Sequence, residues 1–536
     1  MTRKLAVLLL LSGLAACESK KKPEATPDSL NPGKLQILGT VDERYQSFNV
    51  EMLEVTGGKF WKPYGAELES LLSQPNKKIS DGGDTPTGMN PGLYEYRSPM
   101  DLKNRRLLRL AKALSPSYMR VSGTWANSTY FQKPGEKLTN PPKGFISILT
   151  RDQWKNVIDF SKAANARIVT SLATSMGTRD EDGVWTTAQA KRLFDFTKAQ
   201  GGHIAALEFM NEPNLPIMGG APLGYNAQDY GKDFKIFADF IKKTSHDTII
   251  LGPGSVGESN HENGGFVYSS DSKLIKTESL LKEMPGSFIQ AFSFHYYGAL
   301  SKRCASAGNQ ISLENSLSED WLGRIDQTIS FYAALRDKYV PRVPLWNTET
   351  ADAACGGNPW GGSFLDTFRY LDQLGRQATQ GVKVSIHNTL AASNYSLLDE
   401  KDFSPKPIFW GGLLWRRFMG SAVLDSEQII KPGLHVYAHC LYKTQGGVAM
   451  LVINNDKEKS TELNIALDGR RYTLTADSLP GNHIKLNGKV LKLARNDRLP
   501  KIGEITVNAG VINFEPTTIT FLTYPEAKNP SCLQQE

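Results

Sequence analysis

The chain has 536 residues, of which 40% are hydrophobic and 22% charged, an ordinary composition for a globular protein. This length is too great for one compact core, so it predicts one large domain with a smaller one. The net charge is +7 and falls to +5 once residues 1–16, with two cations and no acid, are removed. Such a mild excess tolerates an anionic substrate but does not indicate a nucleic-acid partner, and the sequence has no helix-turn-helix, zinc or phosphate-loop pattern.

The N-terminus resembles a bacterial lipoprotein signal. Arg3 and Lys4 precede the apolar run 5–14, which is too short to cross a bilayer comfortably. The following Leu-Ala-Ala-Cys17 resembles a lipobox, whose cysteine is acylated and becomes the mature N-terminus. We therefore expect a signal peptide at 1–16, lipidation of Cys17, a flexible tether at 17–33 and a membrane-anchored protein at the outer membrane or cell surface. The alternative is an ordinary secretory signal with a chance cysteine.

From about residue 45 to 410, apolar runs of strand length alternate with amphipathic segments of helix length. This is the pattern of a parallel α/β fold. We predict a (β/α)8 (TIM) barrel over residues 34–410. Its eight strands are expected at Phe48–Leu53, Tyr118–Gly123, Arg167–Leu172, Ala205–Met210, Thr248–Pro253, Ala291–Tyr297, Pro344–Thr348 and Val384–Leu390.

Beyond residue 411 the chain changes to short alternating runs, such as Val448–Ile453 and Thr518–Tyr524, broken by Gly, Asn and Asp. This pattern predicts a β-sandwich over residues 411–536. Leu35–Leu38, which precedes the first barrel strand, could join that sandwich as an extra strand.

Four cysteines remain after Cys17, and export to an oxidising compartment would allow them to pair. Four cysteines permit three connectivities. Cys440 and Cys532 both lie in the C-terminal region, whereas Cys304 and Cys355 follow two barrel strands. We therefore favour Cys440 with Cys532 and Cys304 with Cys355, and free thiols are the alternative.

Two glutamates follow apolar, strand-like runs. Glu212 lies in Asn-Glu-Pro after the predicted fourth strand, and Glu349 ends the seventh. In a TIM barrel the carboxyl ends of the strands carry the chemistry, and glycoside hydrolysis needs two carboxyl groups at one site. Most of the chain's 55 acidic residues are expected only to solvate the surface. Asn211 next to Glu212 could also hydrogen-bond a sugar hydroxyl, and together these residues favour a glycosidase.

Several segments resemble glycoside hydrolase family 79, the heparanase and β-glucuronidase family. The resemblance covers nearly everything after residue 34. It is carried by Leu114–Thr124, Glu208–Asn214, Ser293–Tyr297, Trp346–Gly357, Asp366–Asp399 and, in the sandwich, Val436–Cys440 with the late Cys532.

The resemblance implies roles for the catalytic residues. Glu212 would be the acid/base, Glu349 the nucleophile, and Asn211 would hold the 2-hydroxyl of the sugar. Tyr296 would hydrogen-bond the nucleophile and keep it ionised. Retention of the anomeric configuration follows if the two carboxyl groups lie about 5 to 5.5 Å apart.

The same resemblance implies a pocket for a terminal uronic acid. Its lining would include Thr124, Gly356, Gly357 and Tyr395, with backbone N–H groups and a phenol binding the carboxylate. Glu51 stands where the family has an aspartate of the cleft. No metal and no cofactor are expected.

The sequence thus predicts a lipid-anchored retaining glycosidase that acts on β-linked glucuronic acid in an oligo- or polysaccharide. Removal of a terminal residue is favoured over cleavage inside a glycosaminoglycan chain, because the loops with Cys304 and Cys355 could narrow one end of the site. A surface lipoprotein that binds glycans in the same cleft without cleaving them is the alternative of a different class.

Overall fold

The computed structural model describes residues 29–74, 84–260 and 274–533. The predicted signal peptide and Cys17 lie outside these ranges. In chain order the strands are β1 (Ile37–Thr40), β2 (Gln46–Glu51), β3 (Gly58–Trp61), β4 (Tyr94–Arg97), β5 (Ser117–Ser122), β6 (Thr129–Phe131), β7 (Ser147–Leu149), β8 (Ala166–Ser171), β9 (Ile204–Glu208), β10 (Ile249–Ser255), β11 (Ala291–Tyr297), β12 (Leu345–Ala351), β13 (Val382–His387), β14 (Met419–Leu424), β15 (His435–Leu441), β16 (Val448–Asn454), β17 (Thr461–Ile465), β18 (Gly469–Thr475), β19 (Lys485–Leu486), β20 (Lys489–Val490), β21 (Ile505–Val507), β22 (Gly510–Phe514) and β23 (Thr518–Tyr524).

The α-helices are α1 (Met52–Thr56), α2 (Ala66–Leu72), α3 (Arg105–Ala113), α4 (Arg151–Ala164), α5 (Ala188–Ala199), α6 (Ala227–Thr244), α7 (Thr277–Glu283), α8 (Glu319–Tyr339), α9 (Phe364–Thr379) and α10 (Pro407–Phe418). In the described parts of the chain, no helix combines the length and the apolar character needed to cross a membrane.

Eight parallel strands close into a barrel in the order β2, β5, β8, β9, β10, β11, β12 and β13. The predicted TIM barrel is therefore confirmed, with each predicted strand overlapping an observed one. The strands are buried on both faces, as expected when helices cover a parallel sheet. Side chains such as Tyr118, Trp346 and Ile386 fill the interior, whereas a large outer core lies between the strands and helices α3 to α10.

The C-terminal region forms a β-sandwich, also as predicted. Its larger sheet includes β1, β14, β15, β16, β23 and β18, and its smaller sheet pairs β17 with β22. β1 pairs antiparallel with β14, which confirms the N-terminal extra strand. One face of the large sheet packs on the smaller sheet, and the other joins the outer core of the barrel.

Two predicted boundaries shift in the structure. The barrel does not end at residue 410, because α10 continues to Phe418 and the sandwich begins at β14. The predicted tether ends before residue 33. Leu30 is buried in the sandwich core and its backbone pairs with Asn464 and Ala466, so the last residues of the predicted tether belong to the sandwich.

Both favoured cysteine pairings are present. Cys440 bonds to Cys532, which attaches the C-terminal end of the chain to β15. Cys304 bonds to Cys355, which joins the loops that follow β11 and β12. The second bond lies at the carboxyl ends of the barrel strands, the face where a TIM barrel places its site.

A buried charged network attaches the sandwich to the barrel. His435 of β15 contacts Asp372 of α9 through Nδ1 and Glu319 of α8 through Nε2, the second at 3.0 Å. Tyr437 donates to Asp372 as well, and Arg376 pairs with the same carboxylate at 2.6 Å. Burial acts to lower the pKa of His435, but the two carboxylates outweigh burial and raise this pKa to about 9.

This raised pKa predicts a pH-dependent stability. His435 has a higher pKa in the folded protein than the ordinary value of about 6.5, so its contribution is complete below pH 6.5 and is lost as pH rises through 9. We expect the free energy of unfolding to fall by about 2 to 3 kcal/mol between pH 6.5 and 9.5 on this account. Denaturant titrations should show a weaker pH dependence for His435→Gln, whereas exposed His203→Gln should behave like wild type. An unchanged slope in His435→Gln would contradict this assignment.

Candidate active site

The two predicted glutamates meet at the carboxyl end of the barrel. Glu349 lies within β12 and is 6% exposed. Glu212 does not end its strand: β9 ends at Glu208, and Glu212 lies four residues further on, in the left-handed region with φ of 49°. One oxygen of each glutamate and one ring nitrogen of His295 lie within 4.8 Å of one another. The glutamates therefore form a close carboxyl pair.

Arg120 of β5 joins the residues of the site. This buried guanidinium donates to Glu208 at 2.8 Å and to Glu349 at 2.8 Å. It also donates to Asn211 Oδ1 at 2.8 Å and contacts Nε2 of His295 at 3.2 Å. One cation thus orients groups from β9, β11 and β12, and it compensates two buried carboxylates that would otherwise be very costly.

The contact with Arg120 fixes the tautomer of His295. A guanidinium can only donate, so Nε2 of His295 accepts and Nδ1 carries the proton. Nδ1 lies 3.1 Å from Glu212 Oε1 and 3.8 Å from Glu349 Oε2. Burial, aided by Arg120, lowers the pKa of His295 to about 4 against the pull of the carboxylates. The imidazole is therefore neutral near pH 7 and donates to Glu212.

The environment assigns different protonation states to neighbouring glutamates. Burial raises the pKa of Glu212 to about 7; Arg120 opposes this shift and Glu208 adds to it. Burial also acts on Glu208, but Arg120 and a 2.7 Å hydrogen bond from Thr348 outweigh it, so the pKa of Glu208 lies below its usual value. Glu212 can hold a proton near neutral pH while Glu208 stays ionised.

Tyr297, not Tyr296, hydrogen-bonds the predicted nucleophile. Its hydroxyl donates to Glu349 Oε1 at 2.7 Å, and burial and Glu349 together keep the pKa of Tyr297 well above its ordinary value. The predicted role of Tyr296 is wrong, because alternate residues of a strand point to opposite faces. Tyr296 faces outward, with its hydroxyl beside Gly298 and near the ring of Trp321 on α8.

Asn211 lies beside Glu212 and is held in a defined orientation. Its backbone N–H donates to Asn127 Oδ1 at 2.9 Å, and its carbonyl accepts from Asn127 Nδ2 at 2.9 Å. Because Arg120 donates to Oδ1 of Asn211, the Nδ2 group of Asn211 can donate to a ligand. This geometry suits the predicted contact with a sugar hydroxyl.

Glu51, Asn388 and Tyr395 form a second polar group next to Tyr297. Asn388 Nδ2 lies 3.2 Å from Glu51 Oε1, 3.0 Å from the hydroxyl of Tyr297 and 3.1 Å from that of Tyr395. Burial and the nearby Glu349 raise the pKa of Glu51 well above its usual value, and its Oε2 is buried without a hydrogen-bond partner. A side chain at Gly123 would overlap this oxygen, so the glycine makes room for it.

The remaining predicted pocket residues lie at the same face but differ in their contacts. Thr124 starts the short helical turn after β5 and is half-buried. Gly356 packs against Trp61 and accepts from Ser393 at 2.8 Å. The N–H of Gly357 donates to Ala353 O at 3.2 Å, so it closes a turn of its own loop instead of taking the predicted role of donor to a carboxylate.

Besides Tyr297, sequence reasoning missed five site residues: Glu208, Arg120, Asn127, His295 and Asn388. Two of them could have been recognised from the sequence. Arg120 is a cation inside an apolar strand, and Glu208 is an acid inside another. Charged residues are almost never fully buried unless they are paired, so both marked a buried ion pair. The other three are polar residues whose partners lie far along the chain.

Comparison with known proteins agrees with this geometry. Residues 98–375 match the model of the glycosyl hydrolase family 79 N-terminal domain, which is more than half of the chain. Heparanase-like protein 1 of Arabidopsis thaliana is 25% identical over 504 residues, covering 82% of this chain and 88% of that protein. Baicalin-beta-D-glucuronidase of Scutellaria baicalensis is 24% identical over 474 residues, covering 80% and 84%.

A solved structure supports the fold. The 4-O-alpha-L-rhamnosyl-beta-D-glucuronidase of Fusarium oxysporum 12S superposes with a TM-score of 0.58 at 12% identity, over 91% of this chain and 99% of that one. The barrel and its carboxyl pair are those of a glycosidase. The chain belongs to glycosyl hydrolase family 79.

The two neighbouring tyrosines provide a matched test of the site. Tyr297→Phe removes a hydrogen bond to a carboxylate, worth about 1.5 to 3 kcal/mol, so glycosidase activity should fall about 10- to 100-fold. Tyr296→Phe removes a hydroxyl on the outer face and should leave kcat within about twofold of wild type. Steady-state kinetics of both purified variants would check this. Equal losses in the two variants would contradict the assignment.

Proposed function

We propose that this protein is an exo-acting, retaining β-glucuronidase. The close carboxyl pair carries the proposal, since one oxygen of Glu212 and one oxygen of Glu349 lie within 4.8 Å of each other. Retaining enzymes need a short separation of about 5 to 5.5 Å, because the nucleophile contacts the sugar directly. Inverting enzymes hold their carboxyl groups further apart, with room for a water molecule.

In the first step Glu349 attacks the anomeric carbon and Glu212 gives its proton to the departing oxygen. Arg120 and Tyr297 each donate to one oxygen of Glu349, which holds the carboxylate in one orientation. His295 donates to one oxygen of Glu212, so the other oxygen can carry the acid proton. In the second step the ionised Glu212 takes a proton from water, the water oxygen bonds to the anomeric carbon, and the bond from that carbon to Glu349 breaks, which regenerates both carboxyl groups.

A glucuronic acid as the bound sugar is supported by donors around Glu349 and by the relatives. Burial and the nearby Glu349 raise the pKa of Glu51, which favours its protonated form as a donor, and the hydroxyl of Tyr395 can donate while it accepts from Asn388. Both groups can serve a carboxylate of the sugar. The name of the relative from Scutellaria baicalensis gives a β-D-glucuronide as its substrate.

Hydrolysis of an aryl β-glucuronide tests the proposal. Wild type should release the phenol, Glu349→Gln should lose more than about 1,000-fold in kcat, and proton NMR should detect the β-anomer of glucuronic acid first. Exposed Glu181→Gln is a matched control and should be fully active. An α-anomer as first product would exclude retention, and glycan binding without turnover of any uronide would indicate the non-catalytic alternative.

The pKa of Glu212 predicts the alkaline limb of the pH profile. Glu212 must be protonated for the first step and its pKa is about 7, so kcat/KM should fall tenfold per pH unit above about pH 7. A substrate with a poor leaving group shows this limb best, because its departure needs the proton. The residual activity of Glu212→Gln on an activated aryl glucuronide should lack the limb. A limb that persists in this variant would assign it to another group.

The N-terminal sequence supports a lipid anchor at Cys17 as part of the same proposal, with the glycosidase facing the periplasm or the cell surface. Full-length protein expressed in a Gram-negative host should incorporate radioactive palmitate and stay with membranes after a carbonate wash. Cys17→Ser should abolish both. Labelling that persists in Cys17→Ser would place the acyl group elsewhere.

A further inference from the structure

Arg303 forms a hydrogen-bonded junction between loops at the carboxyl end of the barrel, beside the nucleophile. It is 1% exposed, lies next to the disulfide-bonded Cys304, and is one of the largest fully buried side chains of the described chain. Nothing in the catalytic steps above uses this cation. Its position therefore calls for a separate explanation.

The guanidinium of Arg303 connects its own loop to three others. It donates to Lys62 O at 2.9 Å, directly after β3 in the connection that leads from barrel strand β2 to β5, and to Asn394 Oδ1 at 2.8 Å, in the loop after β13. It also donates to Cys355 O at 3.1 Å and Gly357 O at 3.0 Å, in the loop after β12. Arg303 itself belongs to the loop after β11. Each nitrogen of its guanidinium donates to another loop, so the side chain joins its own loop to the others.

Further contacts join the same loops into one continuous side of the site. The ring of Tyr64 lies 4.1 Å from the guanidinium carbon of Arg303, and its hydroxyl donates to Gly357 O at 3.0 Å. Ser301 Oγ donates to Cys355 O at 2.9 Å. The ring of Tyr395 touches Gly357 and that of Trp61 touches Gly356. We call the loop segments joined by Arg303, with Trp61 and Tyr395, the Arg303 wall.

The wall stands on the side of the site away from Glu212. Its four loops follow β11, β12, β13 and β2, which are consecutive in the closed barrel. Glu212 follows β9, which lies opposite β13 in a ring of eight strands. The wall also reaches the nucleophile, because Tyr395 connects to Glu349 through Asn388 and Tyr297.

The position of the proton donor determines which part of the substrate faces the Arg303 wall. The departing group must leave beside its proton donor, Glu212, so it occupies the side of the site opposite the wall. The wall faces the remaining part of the bound sugar, where a longer chain would continue from its non-reducing end. We propose that Arg303 is a specificity-determining residue that closes the site behind a terminal glucuronic acid and excludes an internal one. This inference rests on the proposed function.

Two aryl glycosides test this proposal: an aryl β-D-glucuronide and the same glucuronide extended by a glucosyl group on O4. Wild type should hydrolyse the first at least about 100-fold faster than the second, since a closed pocket rejects the extension. Arg303→Met should raise the ratio of extended to unextended kcat/KM at least about tenfold. Asn394→Ala removes a single contact to Arg303 and should shift the ratio about threefold in the same direction.

Arg416→Met is the matched control. This buried arginine also binds backbone carbonyls, those of Ser115 and Glu43, but at the start of the barrel and sandwich strands away from the carboxyl pair. It should lower thermal stability without changing the ratio. If Arg303→Met does not fold, Asn394→Ala decides the question.

The outcomes separate this inference from the proposed function. Wild type that hydrolyses both glycosides at similar rates overturns the role of the wall and leaves the β-glucuronidase standing. Folded Arg303→Met and Asn394→Ala with ratios within twofold of wild type also overturn it. No hydrolysis of the unextended glucuronide by wild type refutes the proposed function itself, and with it the role of Arg303.

Discussion

The ion pairs of Arg120 are the interaction on which the site depends. An isolated guanidinium inside a barrel would be very unfavourable, and so would each buried carboxylate near it. Together Arg120, Glu208 and Glu349 satisfy one another, and Asn211 and His295 complete the hydrogen bonds. Because removal of one partner leaves an uncompensated charge, the group constrains residues from four strands to one arrangement.

This arrangement also gives different environments to Glu212, Glu208 and Glu349, which have the same intrinsic acidity. Arg120 contacts Glu208 and Glu349 directly, and no direct hydrogen bond joins it to Glu212 among the described contacts of the site. Burial therefore dominates at Glu212 and raises its pKa to about 7. Neutral His295 donates to Glu212 without adding a positive charge that would ionise it. One cation thus pairs directly with the proposed nucleophile and leaves the proposed proton donor without a direct hydrogen bond from it.

The sequence predicted the barrel because each buried parallel strand is an apolar run that can be recognised locally. It also located Glu212 and Glu349, which follow such runs. It named Tyr296 where Tyr297 makes the contact, since a shift of one residue reverses the two faces of a strand and β11 is buried on both. Asn388 was missed for another reason: its partners Glu51 and Tyr297 are 337 and 91 residues away, and no local pattern reports such contacts.

The sandwich contributes to the site through α9, which lies between the two domains. On one side Gln373 of α9 donates to the hydroxyl of Thr350 at 2.6 Å, and Thr350 directly follows Glu349 in β12. On the other side Asp372 of the same helix binds His435 and Tyr437 of the sandwich. Successive residues of a helix point in different directions, so adjacent positions can hold the nucleophile strand and the second domain at once. The sandwich therefore holds α9 through Asp372, and α9 in turn holds β12 through Gln373. Both domains thus contribute to the position of the strand that carries Glu349.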